Sequence, residues 1–181
     1  MNRREALVLM GTLCGGTIFG AHRLLARGIA NGLEGSATFV LSPADLALLA
    51  EVADTIIPTT PDSGGAKSAR VEDFMQEIVR DFYSPEEQAV FSNGLREFET
   101  LCRNDAGQSF VNLLPAQRET VLSGLEKSTP VPAYYQMIKQ LTLWGYFSSE
   151  IGATQALAHV AVPGRYEGCM TIPPGTRAWS E

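Results

Sequence analysis

From Ser42 onward, apolar residues recur at helical spacing between short stretches rich in proline and glycine. Ser42-Pro43-Ala44-Asp45 supplies an N-cap, a proline at the first helical position and an early acid. Leu46, Leu49, Val52, Ala53 and Ile56 then lie on one face, and Pro58 and Pro61 stop the helix. A polar stretch, 59–66, separates it from a second helix carrying Val71, Phe74, Met75, Ile78, Val79 and Phe82 as far as Tyr83. Ser84-Pro85-Glu86-Glu87 opens a third as a capping box, with Val90, Phe91, Leu95, Phe98 and Leu101 leading towards Cys102. Pro115 begins a fourth around Val121, Leu122 and Leu125, and Ala133 begins a fifth that runs to about Ser149. No segment keeps a strand alternation. The pattern predicts an all-α fold: a compact, single-domain bundle of about five helices with an irregular, Gly-rich C-terminal segment.

The fifth helix stands apart. Tyr134, Ile138, Leu141 and Gly145 share one face, while Leu143 and Phe147 fall on roughly the opposite side and Tyr135, Trp144 and Tyr146 fill the flanks. A helix apolar nearly all round is either central in its bundle or covered by another chain. Gly145 inside the aromatic run would cost about 1 kcal/mol relative to alanine in an exposed helix, which points to close backbone packing there.

Ahead of the body the pattern changes. Arg3 and Arg4 precede an uncharged run from Ala6 to Ala21, 16 residues long and interrupted by glycine and threonine. A spanning helix wants roughly 20 apolar residues, so the run reads better as an export signal, and the paired arginines point to the twin-arginine route. His22, Arg23 and Arg27 crowd its end, and Gly28-Ile29-Ala30 is the best cleavage site. The expected organisation is a signal over 1–30, a linker over 31–41 and a helical domain over 42–181. Without residues 1–30 the chain keeps 10 basic and 19 acidic residues, a net charge of −9. An acidic body with no basic run argues against nucleic acid.

Two stretches carry a family resemblance. Leu141-Thr142-Leu143-Trp144-Gly145-Tyr146-Phe147-Ser148-Ser149-Glu150-Ile151-Gly152, followed by Val162-Pro163-Gly164-Arg165-Tyr166, resembles the gluconate 2-dehydrogenase subunit 3 family. The block from Ala53-Asp54-Thr55-Ile56-Ile57-Pro58 through Gly65-Ala66-Lys67 is similar to that family's N-terminal block, in family order and spacing. The resemblance implies a small, non-catalytic subunit of a sugar or alcohol dehydrogenase held at the inner membrane through its partners. In such complexes a flavoprotein of the GMC type binds FAD and oxidises the substrate, and a multihaem cytochrome c takes the electrons onward. The small subunit carries the twin-arginine signal, engages the twin-arginine translocase and escorts the flavoprotein into the periplasm.

The residues themselves offer little chemistry. Cys-x-x-Cys-His for covalent haem is missing, since no two cysteines are closer than 67 residues, and a Gly-x-Gly-x-x-Gly turn is missing too. His159 is the only histidine of the body and reads as a surface or packing residue. Asp54 and Glu150 read as acids holding loop N–H groups or pairing with Arg165, whereas Glu86, Glu87, Glu97 and Glu99 read as a solvated face. Cys102 and Cys169 are the body's two cysteines. In an oxidising compartment they suggest one bridge, worth about 2–4 kcal/mol, against two separate thiols or a bridge to a partner.

Two functional classes follow. An escort subunit would dock through Trp144, Tyr146, Phe147, Glu150, Gln155, Arg165, Tyr166 and Trp179, aromatic anchors beside a Gly-rich backbone. A stand-alone periplasmic sugar-binding or enzymatic domain would use the same aromatics to hold a sugar. The escort class places no catalytic residue, metal or cofactor in this chain.

Overall fold

A computed structural model describes residues 39–160, 162, 164 and 171–180. Helix α1 spans Pro43–Ile56, α2 Val71–Phe82, α3 Pro85–Ala106, α4 Pro115–Lys127 and α5 Ala133–Ser148. A 3-10 turn at Phe110–Asn112 joins α3 to α4. After α5 come a π-turn at Gly152–Ala156 and a two-residue strand, β1 (Ala158–His159), paired in parallel with β2 (Trp179–Ser180). The described residues form an all-α fold with this one minimal strand pair.

The capping signals work as the sequence expects. Asp45 N–H donates to Ser42 Oγ at 3.1 Å, and Ser42 N–H donates back to the Asp45 carboxylate. Ser84 and Glu87 repeat the exchange at the start of α3. At α4 only half of the device exists, with Leu114 N–H donating to Gln117 Oε1 at 3.0 Å. Helix α3 runs one turn beyond Cys102, because its terminator is Gly107, held at φ 71° with its N–H on Arg103 O.

Helix α5 is the central element, packing against α2, α3 and α1. Tyr134, Tyr135, Ile138, Leu141 and Tyr146 on it are buried with Leu49, Met75, Phe91, Phe98 and Phe110. Two glycines set how closely its neighbours approach. A Cβ on Gly145 would lie 2.6 Å from Phe74 Cδ1 and 3.1 Å from Val71 Cγ1, so α2 packs where a side chain would stand. On α3, a Cβ at Gly94 would fall 2.1 Å from Tyr134 Cβ. The tight α2–α3 corner is held by buried Gln88, whose Nε2 donates to Val79 O, Arg80 O and Tyr83 O. These carbonyls end α2 and would otherwise lack partners.

The body begins earlier than the expected boundary at 42. Phe39 packs against the core, Leu41 is buried, and Leu41 N–H donates to Gln76 Oε1 on α2. Residues 39–41 therefore belong to the domain and not to a linker. Residues 1–38, with Arg3, Arg4 and the apolar run, lie outside the described residues. Among the described residues no helix is long and apolar enough to cross a membrane.

Because Tyr134 cannot move without opening the α3–α5 contact, Gly94→Ala should destabilise the domain by about 2–3 kcal/mol. Gly124→Ala, where a Cβ meets nothing within 4 Å, should be neutral or mildly stabilising. Paired urea titrations of the two variants check the contrast.

Candidate partner interface

The inward face of α5 leaves its outward face bare. Leu143, Trp144 and Phe147 are 40%, 43% and 42% exposed. Trp144 is nonetheless held, its ring 5.1 Å from that of Phe74 at 88°. Phe147 makes a similar edge contact with Tyr146 at 5.2 Å. Each aromatic ring is thus fixed on one side and open on the other, the geometry of a preset anchor. The inward face realises the central place in the bundle, and the outward face stays part exposed.

Tyr146 does not belong to that exposed face. It is 2% exposed, and its hydroxyl lies 2.7 Å from both Gly64 O and Ser63 Oγ. Its position a turn beyond Thr142, which is wholly buried, turns the ring inward, so Tyr146 is a core residue that anchors a loop and not a docking side chain. The loop it anchors is the polar stretch after α1. Gly64 N–H donates to Gln155 Oε1 at 3.0 Å, and a Cβ on Gly64 would lie 3.2 Å from Ile151 Cγ2. The Gln155 carbonyl in turn accepts from Arg177 Nη1 at 2.7 Å. The two sequence stretches that carry the family resemblance therefore meet here, at Gly64 and Tyr146.

Glu150 and Trp179 are exposed, Trp179 by 52%, and Gln155 is exposed apart from its two hydrogen bonds. Arg165, Tyr166 and Cys169 lie outside the described residues. Exposed Leu143 joins Trp144 and Phe147 on the surface; its place opposite the core-facing stripe was the signal for it. Ser63 and Gly64 had no signal beyond the Gly64-Gly65 doublet. His159 is exposed on β1.

Charged groups brace the loop from the other side. Glu51 on α1 pairs with both Lys67, just past the loop, and Arg118 on α4. Arg118 also donates to Val111 O at 2.7 Å and lies over the Phe110 ring. Burial raises the Glu51 pKa, but the hydrogen bonds and charges of Lys67 and Arg118 outweigh it and hold the carboxyl below its ordinary value. Asp54 has not taken the role of accepting loop N–H groups: its Oδ1 is buried with no hydrogen-bond partner. A Cβ at Gly65 would stand 2.7 Å from that oxygen and 2.6 Å from Thr59 N, so only glycine fits. Glu99 also departs from the solvated face, with Oε1 on Arg103 and Oε2 buried.

Cys102 is wholly buried among the helices and carries a free thiol, so no bridge is made by it here. Burial, with Glu99 and Asp105 nearby, pushes its pKa up to about 11. Among the described residues no three His, Cys, Asp or Glu side chains converge as a metal site. Surface depressions between α3 and α4, and between α1 and α3, have no aromatic side chain in their walls.

These features define a small helical domain that presents an exposed aromatic face. A family model described as gluconate 2-dehydrogenase subunit 3 matches residues 43–164, and the chain belongs to that family. Membership makes it an accessory subunit of a dehydrogenase complex. No curated protein and no solved structure matches the chain.

Tyr146→Phe deletes the hydroxyl that serves Gly64 O and should lower stability by about 1–2 kcal/mol, whereas Trp144→Ser should cost less because its ring is half in water. Chemical denaturation of both variants makes the comparison. Glu51 contributes stability fully above its ordinary value of 4.5 and loses it as the pH falls through its lower folded value. Glu51→Gln should therefore melt lower than wild type at pH 7, by about 1–2 kcal/mol, with the gap closing below pH 4. Melting curves at a series of pH values test that convergence.

Proposed function

We propose that this chain is the non-catalytic escort subunit of a periplasmic, FAD-dependent sugar or alcohol dehydrogenase. It binds the GMC-type flavoprotein through the outward face of α5, and Arg3-Arg4 direct the pair through the twin-arginine translocase. FAD belongs to the flavoprotein, and haem c to a cytochrome subunit where one accompanies the complex; this chain contributes neither. In the periplasm the complex is held at the inner membrane through its partners.

The observation that carries this reading is the trio Leu143, Trp144 and Phe147. Three large apolar side chains close together on one helix stay part exposed, while Tyr134, Tyr135, Ile138, Leu141 and Tyr146 of the same helix are buried. Aromatic side chains fixed at one edge lose little conformational freedom on docking, which favours a protein partner over solvent. Family membership supplies the kind of partner, a dehydrogenase. Among the described residues, the depressions between α3 and α4 and between α1 and α3 carry no aromatic side chain of the kind that stacks on a sugar.

The double variant Trp144→Asp/Phe147→Asp should keep the helical fold yet weaken binding to the co-expressed flavoprotein by at least about 2 kcal/mol. Co-purification of the flavin-bearing subunit, scored against a circular dichroism control, reads this out. Undiminished recovery would move the interface elsewhere, and sugar-dependent quenching of Trp144 in the isolated chain would favour a binding domain. Separately, Arg3→Lys with Arg4→Lys should leave dehydrogenase activity in the cytoplasm with FAD still bound; normal export of the flavoprotein would show that it has its own route.

A further inference from the structure

The tail poses a mechanical question. The described residues from Thr171 to Trp179 are all exposed, so apolar packing does not hold this stretch in place. Among the described residues it meets the body beside the π-turn. Ala158 N–H donates to Ala178 O at 2.9 Å, β1 pairs with β2, and Arg177 Nη1 donates to Gln155 O. Gln155 is in the π-turn that follows α5, and its side chain reaches back to the Gly64 N–H. One exposed residue thus joins three separate pieces of chain: the α1–α2 loop through its amide, the π-turn through its backbone, and the tail through its carbonyl.

The geometry points to Gln155 and Arg177 as positioning residues, a relay that presets the tail, and Trp179 on it, for docking against the dehydrogenase's catalytic subunit. This rests on the escort reading above. The reasoning is one of population. A tail held in its bound geometry presents Trp179 without first losing conformational freedom, and a tail held only part of the time binds more weakly by that fraction. Two ends of the relay are already fixed. Tyr146 clamps the Gly64 carbonyl, and Leu157 N–H on Gly152 O closes the π-turn. The adjustable links are therefore the Gln155 amide and the Arg177 guanidinium. Both are accessible from solvent, so either can be altered without opening the core.

The chemistry makes the test specific. Gly64 N–H needs only an acceptor, which Gln155→Glu keeps and Gln155→Met removes. The Gln155 carbonyl needs only a donor, which Arg177→Lys keeps and Arg177→Met removes. In the full-length chain alone, amide exchange at Ala158 should quicken about tenfold in Gln155→Met and Arg177→Met, and stay near wild type in Gln155→Glu and Arg177→Lys. Thermal melting of the helical body should be unchanged in all four. Binding to the co-expressed catalytic subunit should fall about tenfold in the two methionine variants only. Unchanged Ala158 exchange in the methionine variants would overturn the relay, as would equal loss in the glutamate and lysine variants. Faster exchange with undiminished binding would overturn its role in docking. Failure of the wild-type chain itself to bind sinks the escort reading instead, and the exchange data still decide the relay.

Discussion

The structure depends on how near α5 is allowed to come to its neighbours. Backbone reaches side chain without an intervening Cβ at two places, Gly145 under Phe74 and Val71, and Gly94 under Tyr134. Those approaches bring α2 and α3 onto the inner side of α5 and bury its tyrosines, Ile138 and Leu141. Among the described residues the outer side stays part exposed. Because α2 comes in through Gly145, Phe74 ends beside Trp144 and holds the indole by its edge. The exposed aromatic face is therefore a by-product of close packing, with its most prominent ring steadied by the same helix that packs beneath it.

Electrostatics divides the first helix in two. Glu51, in the second half of α1, is satisfied by two cations from different parts of the chain and ties α1 to α4. Asp54, three residues on, keeps a buried oxygen with no hydrogen bond. Glu72 on α2 carries another such oxygen, and burial raises its pKa. Unsatisfied carboxylate oxygens cost stability relative to paired ones. Paired and unpaired acids thus lie within a short stretch around the 59–66 loop, where Tyr146 and Gln155 supply the compensating hydrogen bonds from the far side.

Most of the helical fold was legible because its signals are local. Serine caps with proline at the first helical position fixed the starts of α1 and α3, and Pro115 marked α4. The apolar stripe of α3 does not mark its end, since the stripe closes at Cys102 while Gly107 closes the helix. What periodicity could not resolve was the fate of each aromatic on α5. Trp144 and Tyr146 are two positions apart with similar polarity, yet one is 43% and the other 2% exposed. The difference is made by Ser63 and Gly64, more than eighty positions away, which offer Tyr146 a polar pocket for its hydroxyl. The role of Gln155 was hidden for the same reason, since its partners lie at 64 and 177 and a glutamine carries no pattern of its own. The ion pair at Glu51 likewise joins residues that share no local motif.

Cys102 carries a consequence of its own. Sealed inside α3 with its acidity suppressed, the sulfur stays protonated and out of reach of oxidants and thiol reagents while the helices are closed. Its reactivity therefore works as a silent gauge of integrity: labelling proceeds at the pace at which the domain breathes, whatever the redox poise of the surroundings.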